Sequence, residues 1–325
     1  MPSIVSIVIP CYQQARFLEG CVQSLRAQTY PHWEAVIVDD GSREDAAEIG
    51  AGLGRLDSRV RFMRQENAGP SAARNTGMRA TSGVYVQFLD ADDLFKPDKL
   101  QRHVAMLDAD GELDLVYGNA WYFDDENPER RFRQGFGPDP DDDWIAKAAA
   151  LPMSPLLQLV QHNTMPICAP LFRRSLVERA GPMNESMRAL EDWEFWIRCA
   201  NTGAQIRFDS SPLAECLIRL HAGSASQNRE FMINAELAMR ILCLSYLQDH
   251  KARRLMLALI GRLVSGPECA ARRSTLEQLH VNASGMEERI ALWVAINLGQ
   301  GTRLHGLAVP LIRFMPWPIR SLTGV

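Results

Sequence analysis

The chain has 325 residues, 46% of them hydrophobic and 23% charged, and a formal net charge of −4. That length buries a core in one large domain or two smaller ones, and the composition is ordinary for a globular protein. The charge balance and the absence of a basic run exclude nucleic acid as the obvious partner.

The elements follow in chain order. "SIVSIVIP" reads as a first strand, and "MPSIVSIVIPCYQQ" lacks the basic start of a signal peptide. Gln13 to Gln28 has helical spacing, with Phe17, Cys21, Val22 and Leu25 on one side. "EAVIVDD" is a second strand ending in Asp39 and Asp40. The helical "REDAAEIGAGLGRL" and a third strand, "RVRFMRQ", come next. "GPSAARNTGMRAT" is a helix with proline in its first turn. "GVYVQFLD" is a fourth strand, and "KPDKLQRHVAMLDA" is another helix. "LDLVYGNAWYF" reads as strand with a candidate hairpin. Residues 124–143 form a charged, Pro/Gly-rich surface loop, a candidate substrate lid. Apolar residues return from Met165 to Arg173. "ALEDWEFWIRCANTG" is a helix closed by Gly203, and "PLAECLIRLH" is a strand ending at His221. From about Asn228 the pattern is helical. The division is therefore residues 1–225, an α/β catalytic domain, and 226–325, a helical C-terminal region.

Strands alternating with helices of this length predict a mostly parallel, Rossmann-like sheet, whose ligands bind at the carboxyl ends of its strands. Strands one, two and four end in Pro10-Cys11, Asp39-Asp40 and Asp90 to Asp93. Seven cysteines without a CxxC pair predict buried, reduced thiols in a cytoplasmic protein. No stretch reaches the roughly 18 apolar residues that span a bilayer.

Each chemical motif has a plain alternative. In "FLDADD" the carboxylates Asp90 and Asp92 converge as Mg²⁺ or Mn²⁺ requires, or form a solvated turn. In "VDDGS", Asp39 and Asp40 accept from a base or ribose, or cap a helix. "ENAGPSAARN" offers backbone N–H groups and Arg74 to an anion, or is a helix cap. In "LEDWEFWIR", Asp192 suits a general base with Glu191 beside it, or both acids answer the helix dipole. His221 is a metal or phosphate ligand, or structural. "GAGLG" at Gly50 to Gly54 is not a dinucleotide fingerprint, because Arg55 stands at its third glycine position and a helix precedes it.

Together and in this order, "SIVIPCYQQARFLEGCVQSLRAQTYPHWEAVIVDDGS", "NAGPSAARNTG", "YVQFLDADD" and "EDWEFWIR" resemble glycosyltransferase family 2 over residues 3 to 225. The resemblance implies a GT-A fold, a nucleotide-diphosphate-sugar donor (a UDP-sugar first among them), Mn²⁺ or Mg²⁺, and inversion at the anomeric carbon. It puts Pro10 and Tyr12 along the nucleotide pocket, Asp40 at the base with Asp39 beside it, and Arg74 near the base or diphosphate. Asp92 becomes the direct metal ligand with Asp90 towards the ribose, Asp192 the catalytic base assisted by Glu191, and His221 a neighbour of the diphosphate. Asp93 is left as a helix start. One departure is Gln13, where many members carry Asn at what reads as the opening of the first helix. The acceptor class implied is a glycan or lipid-linked hydroxyl in cell-surface polysaccharide or glycolipid assembly. A nucleotidyltransferase is the weaker alternative, because no glycine-rich, basic loop follows the first strand. A non-catalytic sugar-nucleotide binder would not need Asp90, Asp92 and Asp192. After Glu288 the tail has arginines but no acids, and "LHGLAVPLIRFMPWPIRSL" suits an anionic membrane surface at the inner face of the membrane. The alternative is a helical subdomain packed on the core or on a second copy.

Overall fold

A computed structural model describes residues 2–43, 46–133, 141–221 and 229–264, which divide between Gln227 and Asn228 into two compact units. In the first unit the strands are β1 (Val5–Cys11), β2 (Trp33–Asp39), β3 (Val60–Arg64), β4 (Tyr85–Phe88), β5 (Leu94–Phe95), β6 (Leu113–Gly118), β7 (Ala120–Asp124), β8 (Arg131–Phe132), β9 (Pro170–Arg173), β10 (Gln205–Asp209) and β11 (Cys216–Leu220). The helices are α1 (Leu18–Arg26), α2 (Ala46–Leu56), α3 (Pro70–Arg79), α4 (Lys99–Ala109), α5 (Trp144–Ala149), α6 (Pro155–Gln161), α7 (Arg174–Ala180) and α8 (Glu191–Asn201).

The main sheet has the order β10-β6-β9-β4-β1-β2-β3. All its pairings are parallel except those of β9, which runs antiparallel to both β4 and β6. The fold is the expected mostly parallel, GT-A-like α/β sheet flanked by helices. β1 is buried at every position, as its unbroken apolar run requires of a strand covered on both faces. α3 lies so close to β1 that a Cβ on Gly77 would fall 2.2 Å from Val8 Cγ1. Because β1, β2 and β4 are parallel, their carboxyl ends share one edge of the sheet, and Asp39, Asp40 and the Asp90 to Asp93 turn stand there together.

Three expectations are corrected. Residues 113–123 are not a hairpin. β6 joins the main sheet, whereas β7 joins a second sheet of order β5-β11-β7-β8 and pairs with β11 in parallel. Only Asn119 separates the two strands, too few residues for a hairpin turn. Its amide donates to Asp143 Oδ1 at 2.6 Å and redirects the chain between the sheets. The 124–143 loop is not wholly irregular. β8 pairs with β7, and Arg133 lies over the Trp121 ring and donates to Glu215 Oε1. Residues 134–140 of that loop lie outside the described residues. Phe17 is not on the buried face of α1. Leu18, Cys21, Val22 and Leu25 form that face, while Phe17, in the preceding 3-10 turn, is half-buried.

The second unit contains α9 (Arg229–Leu244) and α10 (His250–Val264). Arg240 is buried on α9 and donates to Glu236 Oε1 one turn back. Arg253 ties α10 to the carbonyls of Leu244 and Leu247. The arginine-rich tail, Arg289 to Arg320, lies outside the described residues. No helix among the described residues is long and apolar enough to cross a membrane.

Candidate active site

Arg74 is the centre of the site. It extends from α3, only 3% exposed. Its Nη2 donates to Asp90 Oδ1 at 2.6 Å and its Nη1 to Glu191 Oε1 at 2.8 Å. One guanidinium thus joins the end of β4 to the start of α8. Burial disfavours its charge, but Asp90 and Glu191 outweigh that and raise its pKa. With both ends spent on carboxylates, Arg74 braces the site from beneath.

The turn after β4 is crowded. Asp92 Oδ2 lies 3.0 Å from His221 Nε2 and accepts from Gln14 Nε2 at 3.1 Å. Burial and the neighbouring Asp90 push the Asp92 carboxyl up, partly opposed by His221. Asp93 is buried, and burial followed by the charges of Asp92 and Asp90 pushes it well up. It is not a helix start, since β5 follows it and α4 opens only at Lys99. Its Oδ1 accepts from the backbone N–H of Arg219, two residues before His221. Arg219 Nε in turn donates to the Asp92 carbonyl. Asp93 therefore fastens β11, and with it His221, to the acidic turn. Phe17 completes this side, its ring centroid 5.3 Å from that of His221.

Asp192 is the second residue of α8. Asn163, in the loop after α6, donates to its Oδ2 at 3.1 Å, and the Trp193 N–H donates to Oδ1 at 2.7 Å. Burial, and then Glu191, push its carboxyl up to about 6, against the hydrogen bonds and Arg74. Leu190, just before the helix, is held at φ 58, the left-handed region that branched side chains avoid. Such strain recurs at functional sites.

At the end of β2, Asp39 is fully buried, accepts from Ser42 N–H at 3.0 Å and pairs with Arg64 at 3.2 Å. Asp40 Oδ1 accepts from Ala68 N–H and Gln65 Nε2, and Oδ2 from Gly69 N–H. Asp40 thus fastens the loop that leads into α3. Gly69, at φ 95, takes the left-handed backbone that turns its N–H to Asp40 and that glycine adopts without strain. An open groove lined by Gly41, Arg64, Gln65, Glu66 and Asn67 adjoins this strand end. Pro10 is buried in register with Val38, and Tyr12, just past β1, is 47% exposed. Gln13 does not open the helix; it stands before it at φ 56.

The structure thus unites Asp90, Arg74, Glu191 and Asp192 in one chain of contacts and Asp92 with His221 in another. Asp39 and Asp40 stand at the adjoining strand end, engaged with their own loops. Sequence reasoning missed Gln14, Asn163, Arg219 and Phe17. The only signal for Arg219 was its position two residues before His221.

Among the described residues no group of three or more His, Cys, Asp or Glu side chains forms a ready-made metal cluster. The donor set nevertheless suits a hard cation. Two crowded carboxylates with an imidazole alongside gain by neutralisation, and such ions take few protein ligands.

A family profile described as glycosyl transferase family 2 matches residues 6–179. A curated relative from Rickettsia felis, "Uncharacterized glycosyltransferase", is 28% identical over 222 residues, covering 68% of this chain and 35% of that relative. The chain therefore matches about a third of that longer protein. Among solved structures, Staphylococcus aureus TarS 1-349 in complex with UDP-GlcNAc superposes with a TM-score of 0.60 at 16% identity, covering 91% of this chain and 79% of that one. The mannosyltransferase PcManGT from Pyrobaculum calidifontis, in complex with GDP-Man and Mn²⁺, gives 0.56 at 18% identity, covering 100% and 84%. These two likenesses establish the fold.

Proposed function

The chain belongs to glycosyl transferase family 2, and from that premise we propose that it transfers a sugar from a nucleotide-diphosphate donor to an acceptor hydroxyl with inversion. The observation that carries this reading is the link from Asp90 through Arg74 to Glu191, which brings Asp192 to the edge of the sheet where the other strand-end acids stand. UDP-sugars are the first donors to try, and the acceptor is a glycan or lipid-linked hydroxyl of cell-surface polysaccharide or glycolipid assembly. The solved relatives' ligands, UDP-GlcNAc in one and GDP-Man with Mn²⁺ in the other, are of the donor and metal class proposed.

Asp192 is the general base. Asn163 and the Trp193 N–H hold its carboxylate in place. With its pKa pushed up to about 6, it is mostly ionised at neutral pH yet basic enough to take a proton. The acceptor oxygen gives that proton to Asp192 and attacks the anomeric carbon from the face opposite the diphosphate. The bond from that carbon to the diphosphate oxygen breaks in the same displacement, and its electron pair leaves with the nucleotide. Asp92 and Asp90, with His221, would hold Mn²⁺ or Mg²⁺, which supplies charge neutralisation to a departing diphosphate. Tyr12 and Pro10 flank the nucleotide side. Asp40 would meet the base there, sharing oxygens that already accept from Gln65, Ala68 and Gly69.

The test is release of nucleoside diphosphate from a panel of nucleotide sugars with Mn²⁺. Release that depends on Asp192 supports the reading. Binding without release by the wild type, at every donor, would make the protein a sugar-nucleotide binder.

A further inference from the structure

Glu191 and Asp192 are consecutive residues at the start of α8, held there by the left-handed Leu190. Two adjacent carboxylates disfavour each other's ionisation, and a base that is protonated at neutral pH cannot work. The groups that face Asp192 come from four places. Glu191 is on its own helix, Arg74 is on α3, Asn163 is in the loop after α6, and the Tyr122 phenol comes from β7. Arg74 brings the one positive charge among these four, and its geometry is directed at Glu191 at 2.8 Å. It is buried, and both of its terminal nitrogens are held by carboxylates, Nη1 by Glu191 and Nη2 by Asp90.

We propose that Arg74 is a positioning residue for the base: by pairing with Glu191 it cancels the charge beside Asp192 and holds that carboxylate ionised at neutral pH, while its other end ties the base to Asp90 on the donor side. This rests on the reading of Asp192 as the base. It gives Arg74 a task distinct from contacting the nucleotide, and it makes Glu191 an acid whose charge must be masked.

The experiment is a ¹³C-carboxylate NMR titration of the full chain, with the Asp192 signal identified by its loss in Asp192→Asn. In Arg74→Met the Asp192 midpoint rises by about one pH unit, a tenfold loss of ionised base at fixed acidic pH. Adding Glu191→Gln to that variant brings the midpoint back to or below the wild-type value. An unmoved midpoint in Arg74→Met, with weakened UDP binding, would make Arg74 a donor contact and overturn the proposal. So would the same rise in the single and the double variant. If Arg74→Met does not fold, Glu191→Gln alone is read: the midpoint falls on this account, and an unchanged midpoint overturns it. The titration needs no turnover, so it is decided separately from the proposed function. If that function holds, the acid limb of the rate moves with the midpoint.

Discussion

The two acidic regions of the site are built on opposite principles. Around Asp192 the neighbouring acid is paired within the protein: Arg74 meets Glu191, and the neutral Asn163 amide and Trp193 N–H meet Asp192 itself. At the turn after β4 the carboxylates are crowded: burial first, and then Asp90, pushes Asp92 upward, and burial, then Asp92 and Asp90, push Asp93 well up. His221 and neutral donors are what the protein sets against them. Arg74 answers Asp90 there, but Asp92 and Asp93 are left short of positive charge, as the proposed cation-binding site would be.

Substitutions at four positions break or sharpen that contrast. The largest effect belongs to Asp192→Asn, which removes the base while keeping its shape; turnover falls about 10²- to 10⁴-fold, with UDP affinity, measured by calorimetry, unchanged. Asp92→Ala acts on the other side. It should weaken Mn²⁺-dependent donor binding by about 10- to 100-fold, seen as loss of the calorimetric difference with and without Mn²⁺. Equal losses of donor binding from both variants would erase the distinction between the two regions.

Asp93 tests the crowding itself. Asp93→Ala orphans the Arg219 N–H and should cost about 1–3 kcal/mol in denaturant unfolding. Asp93→Asn keeps the acceptor and removes a buried charge, so its stability matches or exceeds the wild type. Gln13 gives the smallest effect. It occupies a left-handed backbone at φ 56, where glycine is unstrained and Asn is favoured over Gln. Gln13→Gly should gain about 1 kcal/mol and Gln13→Asn about half of that, read as shifts in the unfolding midpoint.

Much of this was legible in the chain. β1, β2 and β4 announce themselves as apolar runs closed by Pro10, Asp39 and Asp90, and parallel pairing then gathers those ends on one edge. The helix at Glu191 was readable from its spacing and from Gly203. What escaped were partnerships that no local period encodes. Arg74 and Glu191 lie 117 positions apart, and Asp93 and Arg219 lie 126 apart. Asn163 sits in a loop with no pattern. Asn119, a single residue between two strands, was enough to send β7 to a different sheet. Gln13 showed as an unusual residue, but only the backbone angle shows why Asn or Gly suits the position.

The most direct test is the pH dependence of nucleoside-diphosphate release from the donor that the panel identifies. On the proposed reading Asp192 acts in its ionised form, and its pKa is pushed up to about 6, so the active form is lost as pH falls through that value. The account predicts a plateau above pH ~7 and a fall of about tenfold per unit well below pH ~6, absent from the residual activity of Asp192→Asn. A wild-type rate that stays flat from pH ~5 to ~8, or an acid limb that survives in Asp192→Asn, would contradict it.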